Sequence, residues 1–205
     1  MILKYFILVL VLLKSIEAGC FLNYNAVDCR LQYRNFYDFG LEAGDTNLTK
    51  QDDHFVFVQN PGVFKFYGEY FTAFFLSSNG VIELINKNVS FKLHEKFSYN
   101  CVPFPLADHA IIAPFWSDHA LDPFGGEIFY RITSDSETLA QISYDINLRK
   151  SSQFEKEFLP TWASIITWYQ SKAFNHRRFD FNNTFQVNIC LSYILVMCQI
   201  LHVNY

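Results

Sequence analysis

Residues 70–85 of the chain read YFTAFFLSSNGVIELI and contain the clearest fold signal in the sequence. Two apolar runs, residues 70–77 and 81–85, lie on either side of the polar triplet Ser78-Asn79-Gly80. An Asn-Gly pair between two apolar runs is the strongest short-range signal for a β-hairpin, because both residues tolerate the positive φ angles of a tight turn. The stretch therefore predicts two antiparallel strands.

Short apolar runs separated by turn residues continue on both sides of this hairpin. We predict further strands in five runs rich in β-branched and aromatic residues, at residues 55–58, 110–116, 127–133, 161–170 and 183–189. Asn60-Pro61-Gly62 follows the first run and predicts a turn there. In the fourth run, four residues alternate with period two and therefore share one face: Trp162, Ser164, Ile166 and Trp168.

One segment has helical periodicity. Ser134 and Glu137 have the spacing of a capping box. An apolar stripe with helical spacing follows, formed by Leu139, Ile142 and Ile146. We therefore predict an amphipathic helix over about residues 135–150. Together with the strands, this predicts an α+β fold with one helix packed against an antiparallel β-sandwich-like core.

The composition excludes several classes of protein. Of the 205 residues, 51% are hydrophobic and 19% are aromatic, which suffices for a sizeable core and rules out intrinsic disorder. The formal net charge is −4 and no basic cluster occurs, which excludes a nucleic-acid-binding protein. The length suits one domain with short appendages.

The first residues have the layout of a secretory signal peptide. Residues 5–13 (YFILVLVLL) form an apolar run after Lys4, and Ala18 is a small residue at a cleavage position. We predict a signal peptide at residues 1–18, followed by an N-terminal segment at residues 19–35. Two alternatives stay open. One is an uncleaved membrane anchor, for which the run is short; the other is a lipoprotein signal acylated at Cys20, which Glu17 disfavours.

Secretion gives the cysteines and the Asn-x-Ser/Thr motifs particular meanings. In an oxidising compartment the five cysteines are disulfide candidates, and their odd number leaves at least one outside any intrachain pair: Cys20, Cys29, Cys101, Cys190 and Cys198. A local Cys20–Cys29 bridge fits the spacing, but the sequence does not determine the connectivity. Three motifs predict glycosylated surface positions at Asn47, Asn88 and Asn182.

Residues 188–205 form an atypical apolar tail. The stretch ICLSYILVMCQILHV at residues 189–203 is almost continuously apolar, but Ser192, Gln199 and His202 interrupt it and it is short for a membrane span. A removable lipid-anchor signal is disfavoured because the polar spacer and the small attachment residues are missing. Membrane attachment through the tail is therefore a minor alternative.

The sequence contains few patterns that enzymes or metal sites need. Acidic residues and histidines within residues 108–122 have no metal-ligand spacing, and we interpret them, His119 included, as solvated loop residues beside a buried strand. Asp118 and Asp122 are weak calcium candidates, because extracellular modules use hard oxygen ligands. No G-x-S-x-G, P-loop or G-x-G-x-x-G motif occurs. We therefore predict no enzymatic activity and no cofactor.

One group of aromatic residues is a candidate interaction patch. Residues 64–71 hold more aromatic side chains than one strand face can bury: Phe64, Phe66, Tyr67, Tyr70 and Phe71. A contiguous exposed apolar area usually marks an interface. The alternative is that these side chains belong to the core.

Several segments, in order along the chain, together resemble one family. They are FYDFG at residues 36–40, GDTNL at 44–48, FFLSSNGVI at 74–82, FPLAD at 104–108, IAPFWSD at 112–118, GEIFYR at 126–131, TW at 161–162 and 167–168, and NTFQV at 183–187. This combination resembles the NIDO domain, the extracellular module of nidogen, alpha-tectorin and some membrane mucins. The resemblance assigns residues 36–187 to a NIDO-like domain.

The chain departs from the family pattern at two places. His119 and Ala120 follow Asp118, where the family carries a second acidic residue. After NTFQV the family continues through a Gly/Asp turn into a final strand, whereas this chain continues into the apolar tail. Divergence, a truncated or misread product, or a module cut from a larger protein would explain that difference.

The resemblance implies a secreted protein of the extracellular matrix or cell surface. Its expected role is cell–matrix adhesion through non-covalent contact with matrix or cell-surface proteins. One alternative is a membrane-tethered surface protein, held by the N-terminal apolar run or by the tail. Another is a truncated, non-functional fragment of a larger adhesion protein.

Overall fold

The computed structural model of the chain describes residues 36–48, 51, 53–66, 68–86, 110–121, 126–148, 157–173, 182–190 and 193–201. In chain order, the strands and the helix are β1 Thr46–Asn47, β2 Phe55–Phe66, β3 Glu69–Ser77, β4 Ile82–Ile85, β5 Ala110–Ile112, β6 His119–Ala120, β7 Glu127–Thr133, α1 Ser136–Asn147, β8 Ala163–Ala173, β9 Asn182–Cys190 and β10 Tyr193–Leu201.

The strands form two antiparallel sheets. One sheet has the order β1-β7-β8-β9-β10, and β6 pairs with the end of β8 outside this path. The other sheet has the order β2-β3-β4-β5. The Asn-Gly hairpin prediction is confirmed, since β3 and β4 pair antiparallel on either side of residues 78–81.

Apolar side chains from both sheets form one shared core. Phe64, Phe74 and Leu76 from the four-stranded sheet belong to the same buried cluster as Ile166 and Trp168 of β8. The predicted period-two face of this segment is confirmed. Trp162, Ile166 and Trp168 belong to the shared core and Ser164 donates to Asn60 of β2, whereas the alternate residue Ala163 packs in a separate cluster with the helix. The α+β sandwich-like fold class is therefore also confirmed.

The helix covers the outer side of the larger sheet. Its stripe of Leu139, Ile142 and Ile146 packs with Phe158, Ala163 and Cys190, as the amphipathic pattern predicts. The capping residue differs from the prediction. The helix begins one residue later than a Ser134 cap requires, and the carboxylate of Asp135 accepts the backbone N–H of Thr138 at 2.8 Å. This hydrogen bond lowers the pKa of Asp135.

The predicted turn at Asn60-Pro61-Gly62 is wrong, because β2 continues through it as a strand. The extra residues are absorbed by a register shift between Gln59 and Phe64 in the pairing with β3. A strand with a partner on one side only accommodates proline, because the missing N–H breaks no ladder hydrogen bond.

The tail also differs from the prediction. The last strand that we predict is at residues 183–189, but a further strand follows it, because β10 pairs with β9 over nine consecutive residue pairs. The end of the NIDO-like domain, which we place at residue 187, falls inside β9. Uncharged residues such as Ile194 and Val196 suit an extended strand, although no Gly/Asp turn precedes them.

Candidate functional site

The turn of the β3–β4 hairpin is buried and holds two other parts of the chain through Asn79. The side-chain oxygen of Asn79 accepts the backbone N–H of His119 at 3.0 Å, and its Nδ2 donates to Oδ1 of Asp53 at 2.6 Å. The backbone oxygen of Asn79 accepts the N–H of Ser117 at 3.2 Å. A single asparagine thus connects the hairpin to the loop before β2 and to the segment before β6.

Gly80 makes this close packing possible. Its φ angle is +73°, and a Cβ atom placed there would lie 2.0 Å from the carbonyl oxygen of Phe115. No other residue type fits both the backbone conformation and the space. The Asn-Gly pair therefore determines how the hairpin meets the rest of the molecule as well as where it turns.

His119 is the buried centre of this polar junction, which we define as Asp53, Asn79, Ser117, His119 and Ser171. Nδ1 of His119 lies 2.5 Å from Oγ of Ser171, and Nε2 lies 3.0 Å from the carbonyl oxygen of Phe115 and 2.8 Å from Oγ of Ser117. Because a carbonyl can only accept, Nε2 carries the proton and Nδ1 accepts from the Ser171 hydroxyl.

Aromatic rings surround the imidazole and keep it neutral. The His119 ring lies 5.5 Å from the ring of Phe115 and 5.9 Å from that of Phe185, which stacks in turn on Trp168 at 4.7 Å. Burial in this setting lowers the pKa of His119 to about 4, although its hydrogen bond to Phe115 acts in the opposite direction. His119 is therefore uncharged at neutral pH.

A bulge in β8 brings Ser171 to the imidazole. The pairing of β8 with β9 shifts between Trp168 and Ser171, and Gln170 has a φ angle of +49°. The N–H of Gln170 donates to Oγ1 of Thr184 at 3.1 Å, which supports this unusual backbone. A bulge commonly redirects a side chain in this way.

The prediction that His119 is a solvated loop residue is wrong, because only 1% of its surface is exposed. Its distance from the Ser171 hydroxyl resembles that of a nucleophile and its base. However, Ser171 is also only 1% exposed. The pair joins β6 to β8 within the larger sheet, and no substrate atom reaches it in this conformation.

A second polar contact attaches the N-terminal part of the described chain to the larger sheet. Arg131 of β7 donates to Oδ1 of Asp45 at 2.6 Å and to the backbone oxygen of Asp38 at 2.7 Å. The side chain of Gln186 donates to the backbone oxygen of Tyr37 and accepts its N–H, at 2.9 and 3.0 Å. Residues 37–45 are therefore bound to β7 and β9.

The aromatic interaction patch is only partly at the surface. Phe64 and Phe71 pair across β2 and β3 and are 1% and 3% exposed, so their inclusion in an exposed patch was wrong. Phe66 is half-buried against the core, and Tyr67 lies outside the described residues. Tyr70, in contrast, is 60% exposed.

Tyr70 belongs to a surface that we call the hairpin surface, formed by Phe57, Val63, Lys65 and Tyr70. Lys65 pairs with Tyr70 across β2 and β3, and its Nζ lies 5.5 Å from the centre of the Tyr70 ring. Phe57 and Val63 are exposed on the same outward face of β2, because they alternate with inward-facing residues. This surface presents aromatic, aliphatic and cationic groups to solvent.

The structure describes two of the five cysteines. Cys190 is buried beside the helix, and burial raises the pKa of its thiol to about 12. Cys190 is opposite Tyr193 and Cys198 is opposite Phe185, so the two cysteines are separated by five residues of strand, roughly 17 Å. This distance excludes a Cys190–Cys198 disulfide. Cys20, Cys29 and Cys101 lie outside the described residues.

The predicted glycosylation sites have different surroundings. Nδ2 of Asn47 donates to Oε1 of Glu127 at 3.2 Å, so this amide takes part in the pairing of β1 with β7. Asn182 is the first residue of β9, and Asn88 lies outside the described residues. Glycosylation at all three positions stays a prediction.

The structure describes one of the two calcium candidates. Asp118 is half-buried beside His119, whereas Asp122 lies outside the described residues. Among those residues, no three His, Cys, Asp or Glu side chains group as metal ligands. Within the same residues, no helix is long and apolar enough to cross a membrane.

Comparison with known proteins covers most of these elements. The Nidogen-like domain (NIDO) family model matches residues 72–193. Alpha-tectorin of Mus musculus is 34% identical over 122 residues, which are 59% of this chain and 5% of that protein. Alpha-tectorin of Gallus gallus is 33% identical over 147 residues, 71% of this chain and 6% of that protein. The chain thus spans only about one-twentieth of the length of these relatives.

No solved structure matches the chain. The family match contains the β3–β4 turn, the segment around His119, the bulge of β8 and all of β9. It therefore includes four of the five residues of the polar junction as well as both contact residues, Arg131 and Gln186, on the larger sheet. The chain belongs to the nidogen-like (NIDO) domain family.

Proposed function

We propose that this chain is a secreted, extracellular protein-interaction module that binds matrix or cell-surface proteins and catalyses no reaction. The observation that carries the proposal is membership of the NIDO family, whose domains we expect in extracellular adhesion proteins. The apolar run and small residue near the start of the sequence favour secretion.

The hairpin surface supports a binding role. Two of its four residues, Phe57 and Tyr70, are exposed aromatic side chains, a residue class that is enriched at protein interfaces. None of them is needed to fill the shared core, which the inward-facing residues of β2 and β3 already occupy. We therefore propose that the hairpin surface contacts the partner.

The polar junction supports a non-enzymatic role. Its only imidazole is neutral, buried and fully occupied by hydrogen bonds to Ser171, Ser117 and the Phe115 carbonyl. A general base must be within reach of a substrate proton, and a side chain that is 1% exposed is not.

Expression of the full chain in secreting animal cells tests the location. Medium, membrane and deposited matrix are separated and probed with an antibody to the chain, before and after deglycosylation. We expect a glycosylated chain in the medium and the matrix. Retention in the membrane fraction would contradict secretion and would support the tethered alternative.

Two variants test the binding surface. Tyr70→Ala combined with Val63→Ala removes exposed apolar groups from the hairpin surface, while Leu159→Ala removes a similarly exposed residue elsewhere. We expect all variants to keep the wild-type thermal midpoint, and only the double variant to be retained less in the matrix. Equal retention of the double variant and the Leu159 control would place the contact on another surface.

A further inference from the structure

The outer strands of the two sheets differ in how well their edges are protected. Unpaired N–H and C=O groups along an outer strand invite another strand, so natural sheets shorten, charge or distort such edges. Among the described residues the outer strands are β1, β10, β2 and β5, together with the two-residue β6 that pairs with the end of β8. β1 has two residues and β5 has three. Neither offers a long row of unpaired groups.

β2 is long but carries several protecting features. It has twelve residues, and they include Pro61 and the charged Lys65. Its register also shifts between Gln59 and Phe64. Proline, lysine and bulges are the features that prevent strand addition at natural sheet edges.

β10 has none of these features. Its nine residues, YILVMCQIL, contain no proline, glycine or charged side chain. They pair with β9 in an uninterrupted register from Tyr193–Cys190 to Leu201–Asn182. In the described part of the chain, no strand lies on the other side of β10. An uncharged and regular edge of this length favours the addition of a strand.

We propose that β10 is a self-association edge, to which β10 of a second copy of this chain adds in antiparallel orientation about a two-fold axis. The partner must be extended, because only a strand satisfies alternating N–H and C=O groups. The absence of charge favours an identical partner, because no register of the pair then places like charges opposite each other.

The edge is formed by sequence that the family match does not include. The NIDO match ends at residue 193, which is the first residue of β10. Self-association through β10 is therefore independent of the proposed adhesion function. A chain that is secreted and binds matrix through the hairpin surface could fail to dimerise, and a dimer could form without binding matrix.

Two adjacent proline variants test the proposal. In an antiparallel strand, successive residues direct their backbone groups to opposite sides. Of Val196→Pro and Met197→Pro, one removes an N–H bonded to β9 and lowers the unfolding midpoint. The other removes an N–H at the free edge, and we expect it to keep that midpoint and abolish the dimer. Gln199→Lys adds an edge charge and should weaken the dimer without proline strain.

The readout is sedimentation equilibrium of the purified full chain over a micromolar concentration range. The matched control is Leu159→Lys, which adds a charge at an exposed apolar residue outside β10 and outside the hairpin surface. We expect a concentration-dependent, non-covalent species of twice the monomer mass in the wild type and the control. A monomer at every concentration would overturn the proposal. So would a dimer that reductant alone dissolves, or one that persists unchanged in all three β10 variants.

Discussion

The neutral, buried His119 predicts that acid destabilises this protein well above the pH at which carboxylates titrate. The pKa of His119 is lowered from 6.5 to about 4 in the folded chain because burial disfavours the imidazolium. Between these two values the unfolded chain binds more protons than the folded chain. The contribution of the neutral His119 to the free energy of unfolding is therefore complete above pH 6.5 and is lost as the pH falls toward 4.

The size of the effect follows from the two pKa values. At pH 5 the unfolded imidazole is almost fully protonated, while the folded one is mostly neutral. Linkage then reduces the free energy of unfolding by about 2 kcal/mol relative to neutral pH. For a chain of this size, this corresponds to a lowering of the thermal midpoint by roughly 4–8 °C.

The assay compares the wild type with His119→Gln by thermal and urea unfolding between pH 7.5 and pH 5. Glutamine can still donate to the Phe115 carbonyl but does not titrate, so the stability of the variant should depend less on pH. Because glutamine also lacks the ring contacts of the imidazole, we expect the variant to be less stable at neutral pH. Working at or above pH 5 also keeps Asp135 ionised, since hydrogen bonds to Thr138 lower its pKa.

Parallel profiles for the two proteins would refute the reasoning, because they would assign the pH dependence to other groups. If His119→Gln does not fold, an NMR titration of the wild-type imidazoles supplies the same information. One imidazole should then titrate far below 6.5, or remain neutral until the protein unfolds. An imidazole population that titrates entirely near 6.5 in the folded state would contradict a buried, neutral His119.

Three further predictions concern stability. Gly80→Ala should lower the free energy of unfolding by about 3 kcal/mol or more, because the new Cβ meets a carbonyl oxygen 2.0 Å away. Gly68→Ala, at a position with φ +88° and open space, should lower it by only about 1 kcal/mol. Phe64→Ala should cost about 3–5 kcal/mol in urea unfolding and Tyr70→Ala less than about 0.5 kcal/mol, since only the first side chain is buried. Asp45→Asn should cost about 3 kcal/mol, because it leaves its buried arginine partner without a counter-charge. Equal losses within either matched pair, or an unchanged midpoint for the Asp45 variant, would contradict the packing described above.

The parts of the fold that sequence predicts are those that depend on local periodicity. The Asn-Gly turn, the helical stripe through Ile142 and the alternating face of β8 are each defined by a short stretch of sequence, and the structure confirms all three. The helix cap was misplaced by one residue, because Ser134 and Asp135 are both good caps and only the backbone selects between them.

The polar junction could not be predicted, because its contacts join residues far apart in sequence. Asn79 and His119 are separated by 40 positions, and His119 and Ser171 by 52. A histidine in a polar loop and a serine in a strand have no sequence feature that indicates burial. The bulge that redirects Ser171 arises from the pairing of β8 with β9, so the sequence of β8 alone does not indicate it.

The prediction of the aromatic interaction patch was partly wrong for a related reason. Five aromatic residues within residues 64–71 cannot be assigned to two faces until the pairing of β2 with β3 is known. The register shift places Phe64 opposite Phe71, and both face the core, while Lys65 and Tyr70 face outward. Only the three-dimensional register therefore separates the buried part of the cluster from the hairpin surface.

The contacts of Arg131 and Gln186 also bear on where the folding unit begins. Both residues lie inside the family match at residues 72–193, but their hydrogen-bond partners, Asp45 and Tyr37, lie before it. A domain limited to the matched residues would leave a mostly buried guanidinium without its carboxylate and would remove β2 from the core. Both losses are costly. We therefore propose that the folding unit extends beyond the family match at least to Tyr37, within the FYDFG motif that resembles the family.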